Sequence, residues 1–305
     1  MKCIFLYNPN SGKGKIVNRI NYIKKELSKK FDFVEIHPTK STEDTIETAK
    51  ESCDEFDVII FAGGDGTFND IACGVASRDK RPILGYIPAG TMNDIAHNLG
   101  ISTNVRKALK HITDGRTIYH DVGLINGKYF IYVSAMGTFT GVSYRTKQKT
   151  KKIFGKLAYA FDGLKDIVNP LLSHVTVKTE SEEVHMEVPL VLVVNSIQVG
   201  GVPFNRYGHL NDGLFDIILV KRGIGNGLIN ILKLFTFGIG IKRITKHFVC
   251  LKGSKFDIST DEGVIWCIDG EAGPIGSVHI ENIPKHLQIY VPKKKNFHIP
   301  TFKKT

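Results

Sequence analysis

Three short segments place carboxylates and hydroxyls among glycines. The first is Gly63-Gly64-Asp65-Gly66-Thr67. Its glycines let the backbone approach a ligand and expose N–H groups. The start of a following helix adds positive potential, so the place suits phosphate. Asp65 in its middle would repel phosphate unless a divalent cation neutralised it, which points to Mg²⁺. A tight turn with an exposed Asp is the plainer alternative. The second segment is Pro88-Ala89-Gly90-Thr91-Met92-Asn93-Asp94. It repeats the Gly-Thr-x-Asn-Asp order of Gly66–Asp70. Two such loops on adjacent strands would set Thr hydroxyls and carboxylates around one phosphate group. For Asp70 the simpler role of favouring a helix N-terminus is preferred; for Asp94 the chemical role is. The third segment, Asn8-Pro9-Asn10-Ser11-Gly12-Lys13-Gly14-Lys15, is weak alone, because Asn-Pro and Ser-Gly are common turn formers. Neither standard nucleotide fingerprint is present. Position 69 is Asn69 where a dinucleotide fold needs Gly, and Pro9 and Ile16 spoil a Walker A reading around Gly14-Lys15.

Such loops need a parallel sheet, because ligands bind at the carboxyl ends of its strands. The first third alternates accordingly. Strands are expected at Lys2–Tyr7, Phe33–His37, Asp57–Ala62 and Ile83–Ile87. Helices are expected at Ile16–Lys30, Thr42–Cys53, Asn69–Ser77 and Met92–Leu99. After about Val122 the texture changes. Strand-like runs at Tyr129–Ala135, Val175–Thr179, Leu190–Asn195, Phe215–Val220, Lys255–Ser259, Val264–Cys267 and Leu287–Val291 are separated by turns such as Asn126-Gly127 and Asp269-Gly270. Helical stretches at about Ile153–Val168 and Gly227–Phe237 interrupt them. The expected architecture is an α/β domain with a doubly wound parallel sheet over 1–124, then a mainly antiparallel β domain over 125–291. The tail 292–305 is expected to pack back on the first domain.

Composition sets outer limits. Of 305 residues, 42% are hydrophobic and 23% charged, which suits a chain with ordinary cores. The formal net charge of +11 asks for a polyanionic partner but does not say which. Five scattered cysteines with no Cys-x-x-Cys suit a reduced, cytoplasmic chain without a zinc site. No signal peptide is visible. The longest greasy stretch, Leu228–Ile241, is broken by Lys233 and too short to span a bilayer.

The order Asn8-Pro9 with Ser11-Gly12, then Gly63–Thr67, then Pro88–Asp94, resembles the diacylglycerol kinase catalytic domain. That family includes bacterial diacylglycerol kinases and the sphingosine and ceramide kinases. The likeness continues through His120-Asp121-Val122-Gly123, Leu210-Asn211-Asp212-Gly213 and Asp269-Gly270-Glu271. It is closest to the bacterial enzymes, through Val142-Ser143-Tyr144 and Leu157-Ala158-Tyr159. The resemblance implies an ATP-dependent lipid kinase with its active site in the cleft between two domains. It implies ATP contacts from Asn8, Ser11, Gly12, Thr39, Gly63, Gly64, Asp65, Gly66, Thr67, Asn69 and Thr91. It also implies a Mg²⁺ network of Asp65, Asp94 and Asp121 at the γ-phosphate, with Glu271 as general base. Asp212, with the backbone carbonyls of His209 and Leu214, matches a structural Mg²⁺ site in the second domain. Asp70 stands where Glu is more usual, and Asn211 removes one of two adjacent carboxylates. Glu271 follows the apolar run Trp266-Cys267-Ile268, so partial burial and a raised pKa are expected.

Arg145–Lys152 carries five cations and no acid, and an amphipathic stretch follows. Together they suit an anionic bilayer, such as the inner face of a membrane. A solvated basic loop beside a core helix explains them as well. Two other classes were weighed. An NAD kinase shares the Gly-Gly-Asp-Gly-Thr loop but not the second loop. A non-catalytic nucleotide-binding regulator would have no need of Glu271 and the three aspartates. Nucleic acid is disfavoured because aromatics do not interleave with the basic residues. A homodimer is the assembly carried forward, though the sequence does not read it.

Overall fold

The computed structural model describes residues 1–9, 16–138, 170–205, 208–239 and 245–293. The chain divides into two compact units. One holds Met1–His120 with the segment from Lys285 onward; the other holds Asp121–Pro284.

In the first unit, β1 (Lys2–Tyr7), β2 (Phe33–Pro38), β3 (Val58–Gly63) and β4 (Ile83–Pro88) form a parallel sheet in the order β2-β1-β3-β4. All six residues of β3 are buried, as a central strand covered on both faces requires. The helices are α1 (Ile20–Leu27), α2 (Thr42–Glu55), α3 (Asp65–Ala76), α4 (Asp94–Leu99) and α5 (Val105–Asp114). Ser41 caps α2 by accepting the Asp44 N–H at 3.1 Å, and Asn104 caps α5 through the Arg106 and Lys107 N–H groups. This is the expected doubly wound α/β arrangement, with three corrections to helix bounds. Helix α1 is Ile20–Leu27 rather than Ile16–Lys30, since Val17–Arg19 forms a separate tighter turn. Helix α3 begins at Asp65 rather than Asn69, because extended Gly64 serves as its N-cap. Helix α4 begins at Asp94 rather than Met92, because Asn93 turns the chain in the left-handed region at φ 54°.

The second unit is antiparallel. Here β7 (Val133–Gly137), β10 (Leu190–Val194), β11 (Phe215–Val220), β12 (Phe248–Gly253), β14 (Ile265–Ile268) and β15 (Glu271–Ile275) lie in the order β12-β11-β10-β7-β14-β15. The strands β13 (Lys255–Thr260), β8 (Ser173–Lys178) and β9 (Glu183–Val188) pair antiparallel in that order. Their inner faces share a core that includes Phe130, Met136, Val193, Phe215, Phe256 and Trp266. The single run expected at Tyr129–Ala135 is two strands, β6 (Lys128–Phe130) and β7, with Ile131 and Tyr132 between them. Helix α6 (Leu228–Phe237) follows β11. The strands β5 (Arg116–Ile125) and β16 (Val278–Val291) each contribute residues to both units; at its far end β16 pairs parallel with β4 through Ile289 and Leu84. The expected helix at Ile153–Val168 lies outside the described residues.

Candidate functional site

The two glycine loops of the first unit are held against each other by the strands beneath them. Phe61 on β3, Phe68 on α3 and Tyr86 on β4 pack as a buried aromatic trio, with ring centroids 5.1–5.4 Å apart. The Tyr86 hydroxyl donates to the Gly63 carbonyl at 3.2 Å, and the Ala89 N–H donates to the same oxygen at 2.7 Å. Burial, then the nearby Asp65 and Asp94 carboxylates, push the Tyr86 pKa well above its usual value, so it remains a donor.

The loops meet backbone to backbone. A Cβ on Gly90 would stand 2.5 Å from the Gly64 Cα, so glycine is required at this crossing. Asn93 closes the second loop on itself: its Oδ1 accepts the Gly90 N–H and its Nδ2 donates to the Gly90 carbonyl, both at 2.9 Å. Gly63 is needed for another reason, since a Cβ there would lie 2.3 Å from the Thr67 Cβ. At Gly66 a Cβ would meet nothing within 4 Å. Packing therefore does not demand glycine there, and exposed Gly66 leaves one side of the first turn of α3 open.

Asp65 and Asp94 are each the first residue of a helix, where the dipole favours negative charge. The Asp65 Oδ1 accepts the Ile95 N–H at 3.0 Å, which ties α3 to the start of α4. Burial is the main force raising the Asp65 pKa; Asp94 adds to it, while the backbone N–H groups of Ile95, Asp94 and Asn93 oppose it. A buried carboxylate whose proton affinity is raised by burial and by its neighbour suits a divalent cation. Thr39 is buried beyond the end of β2, and its Oγ1 has no hydrogen-bond partner. Asn8 is half-buried after β1, Asn69 half-buried in α3, and Thr91 exposed in the second loop. Ser11 and Gly12 lie outside the described residues.

In the second unit Asp121 is fully buried on β5. Its Oδ2 accepts the Gly213 N–H at 2.7 Å, and its own N–H donates to the Leu210 carbonyl at 3.0 Å. Its carbonyl accepts Asn195 Nδ2 at 3.1 Å. Asp121 thus pins the Leu210–Gly213 turn. In that turn Asp212 accepts the Leu214 N–H through Oδ1, and its Oδ2 pairs with Lys252 Nζ at 2.7 Å. The Lys252 ammonium thus holds one of the Asp212 oxygens that a structural metal would need. His209 is exposed and Leu214 half-buried. Among the described residues no three His, Cys, Asp or Glu side chains cluster as a metal site.

Glu271 opens β15, opposite Ile268 across a two-residue turn. It is exposed, so the expected partial burial is not found. The turn explains this: Asp269 and Gly270 both have positive φ (47° and 94°), as in a type I′ hairpin, which reverses the chain at once and leaves Glu271 on an outer strand. Sequence reasoning took Asp269 only as a turn former. Its buried carboxylate in fact accepts three backbone N–H groups, from Ile131 at 2.6 Å, Tyr132 at 3.1 Å and Val133 at 2.9 Å. That clamp fixes the hairpin presenting Glu271.

Comparison with known proteins matches residues 2–125 to the diacylglycerol kinase catalytic domain and residues 135–291 to the YegS C-terminal NAD kinase beta sandwich-like domain. The diacylglycerol kinase of Bacillus subtilis strain 168 is 31% identical over 296 residues, covering 95% of this chain and 96% of the relative. That of Staphylococcus carnosus strain TM300 is 30% identical, covering 94% of each. Two solved structures from Bacillus anthracis strain Sterne share the fold. One superposes with a TM-score of 0.83 at 28% identity over 95% of each chain. The other, described as a diacylglycerol kinase, has a TM-score of 0.79 at 24% identity, covering 95% of this chain and 96% of that one. The chain is a kinase and belongs to the diacylglycerol kinase family.

Proposed function

We propose that the chain transfers the γ-phosphoryl group of ATP to the primary hydroxyl of diacylglycerol, giving phosphatidic acid and ADP, in phospholipid metabolism. The observation that carries this reading is the crossing of the Gly64 and Gly90 backbones, with Asp65 and Asp94 beside it at helix N-termini. The N–H groups of α3 and the Thr67 and Thr91 hydroxyls bind and orient the phosphates, with Asn8, Thr39, Asn69, Ser11 and Gly12 supporting the nucleotide. Asp65 and Asp94, with Asp121 as the third aspartate that the family resemblance implies, would hold Mg²⁺, which when bound would neutralise charge on the transferring phosphoryl group. The Glu271 carboxylate accepts the proton of the lipid hydroxyl as its oxygen bonds to the γ-phosphorus. The bond from that phosphorus to the β–γ bridging oxygen breaks, and ADP leaves with the electron pair. The chain's contribution is chiefly positioning and charge, as phosphoryl transfer requires.

The acceptor is insoluble, so the enzyme works at a membrane face, most simply as a cytoplasmic protein bound peripherally. No described helix is long and apolar enough to cross a membrane. The five cations of Arg145–Lys152, outside the described residues, supply attraction to an anionic leaflet, about 1 kcal/mol each near the surface. A test of the activity is ATP consumption with diacylglycerol, a monoacylglycerol and a sphingoid base in mixed micelles, with NAD as the control. Diacylglycerol should turn over fastest, with a requirement for Mg²⁺. Robust NAD phosphorylation without lipid turnover overturns the reading.

A further inference from the structure

Helix α6 carries apolar side chains on its outer side as well as its inner one. Ile231 and Leu234 are fully buried, and the polar Asn230 is buried beside them. Asn230 Nδ2 donates to the Lys221 carbonyl at 2.8 Å, so its Oδ1 takes the N–H of His247 Nδ1 at 2.7 Å. His247 Nε2 is then an acceptor, 3.3 Å from Lys233 Nζ. The side turned to solvent is mostly apolar as well, with Thr236 the polar exception. Leu232 is 50% exposed and Ile229 39%, with Phe237 at 74% and Ile224, in the preceding turn, at 79%. Isolated exposed apolar residues are ordinary; four on and around one short helix mark a surface made to be covered.

We propose that this face docks the enzyme on an anionic lipid bilayer, with Ile224, Ile229, Leu232 and Phe237 entering the boundary between headgroups and acyl chains. From Lys221 to His247 the described residues carry four cations (Lys221, Arg222, Lys233 and Lys246) and no acid; Arg222 pairs with Glu187 at 2.6 Å, so the cations outnumber the one acid they meet. An apolar helix face flanked by net positive charge is the pattern of an interfacial helix. The same charge argues against a second copy as the occupant, since a two-fold contact would bring like charges together. At ten residues the helix is roughly 15 Å long, so it lies in the interface and does not span. The docking deepens the lipid-kinase reading, because the acceptor is brought to the enzyme by the surface that binds the bilayer.

The test is co-sedimentation with vesicles of phosphatidylglycerol and phosphatidylcholine, without ATP or diacylglycerol. The triple variant I229Q/L232Q/F237Q changes only exposed positions, so its circular dichroism and melting should match the parent. Its vesicle affinity should fall by on the order of a hundredfold, from the lost transfer of three apolar side chains. Its turnover of a monomeric short-chain diacylglycerol should be unchanged. A second variant, F237W, should show a blue-shifted indole emission on anionic vesicles. A folded triple variant that binds vesicles like the parent overturns the proposal, as does an F237W emission that does not move. A parent dimer that becomes a monomer in the triple variant, with vesicle binding intact, assigns the face to self-association. A parent that binds vesicles yet phosphorylates no lipid, even in monomeric form, sinks the kinase reading and leaves the docking face standing.

Discussion

Asp269→Asn is the sharpest probe of how the second unit presents Glu271, the proposed base. The amide keeps the side chain's shape and tolerates the left-handed backbone at this position, so the change acts on hydrogen bonding. In the parent, Oδ1 accepts the Tyr132 and Val133 N–H groups and Oδ2 accepts that of Ile131. The amide oxygen can retain one of these two sets. The amide nitrogen then faces a backbone N–H in a buried place, donor against donor. One charge-assisted bond is lost, and those that remain lose their ionic character. A hydrogen bond to a charged group contributes about 1.5–3 kcal/mol, and an unsatisfied buried donor costs about 1–3 kcal/mol. These terms overlap, so a net loss of about 2–4 kcal/mol is expected. For a unit of this length that is a fall in Tm of roughly 5–15 °C. Differential scanning calorimetry would read it, with the transition of the second unit moving and nucleotide affinity unchanged. Turnover of lipid should drop as well, because the hairpin carrying Glu271 loses its clamp. A variant that melts within a degree of the parent and turns over normally would refute the argument.

Glu271→Gln should leave ATP affinity nearly intact and stop transfer, since the amide cannot accept the hydroxyl proton; isothermal titration beside a turnover assay separates the two. Asp65→Ala should lower kcat by on the order of 10²–10³ with the fold retained, and a fully active variant would remove Asp65 from the site. Gly90→Ala would drive a Cβ to 2.5 Å from the Gly64 Cα, so the loops must part and ATP affinity should fall; unchanged nucleotide binding would show that the crossing is not needed. In metal-free buffer Asp65→Asn should raise Tm at neutral pH. Burial raises the folded pKa of Asp65 above its unfolded value, so its ionised form opposes folding above the folded pKa, and this penalty fades as pH falls through it. The variant's advantage in a pH series of melts should therefore shrink on acidification, and an advantage that grows instead would contradict the assignment.

The first unit was the more legible of the two. Its central strands are continuous apolar runs, and each glycine loop follows its strand directly in sequence. The start of α3 was misplaced because Gly64, Asp65 and Gly66 are poor helix formers; the chain is helical there because the sheet launches it from Gly64. Helix α5 went unread because only Ala108, Leu109 and Ile112 are buried among its charges. In the second unit Asn126-Gly127 and Asp269-Gly270 announced their hairpins correctly. The break between β6 and β7 was invisible, since Ile131 and Tyr132 continue the apolar pattern. What interrupts it is a carboxylate well over a hundred residues away. The exposure of Glu271 was missed for a related reason: an apolar run predicts that its strand is buried, not which way the next one faces. The clasp of Asn93 on Gly90 and the pairing of Lys252 with Asp212 likewise depend on geometry that spacing does not encode.

The path of β16 has a consequence for how the chain is made. Strand β4 ends at Pro88, but its neighbour in the first unit is supplied by the far end of β16, which closes at Val291. A ribosome adding about 5–20 residues per second needs roughly 10–40 s to travel between those points. For all of that time the first unit's sheet has an unfinished border along the buried, apolar Leu84–Pro88, a ready template for wrong pairing. Every residue of the second unit leaves the exit tunnel before the first unit can be completed. Vectorial synthesis therefore favours finishing the later-encoded unit first. Any truncation that removes β16, however short, should leave a nascent chain in need of a chaperone.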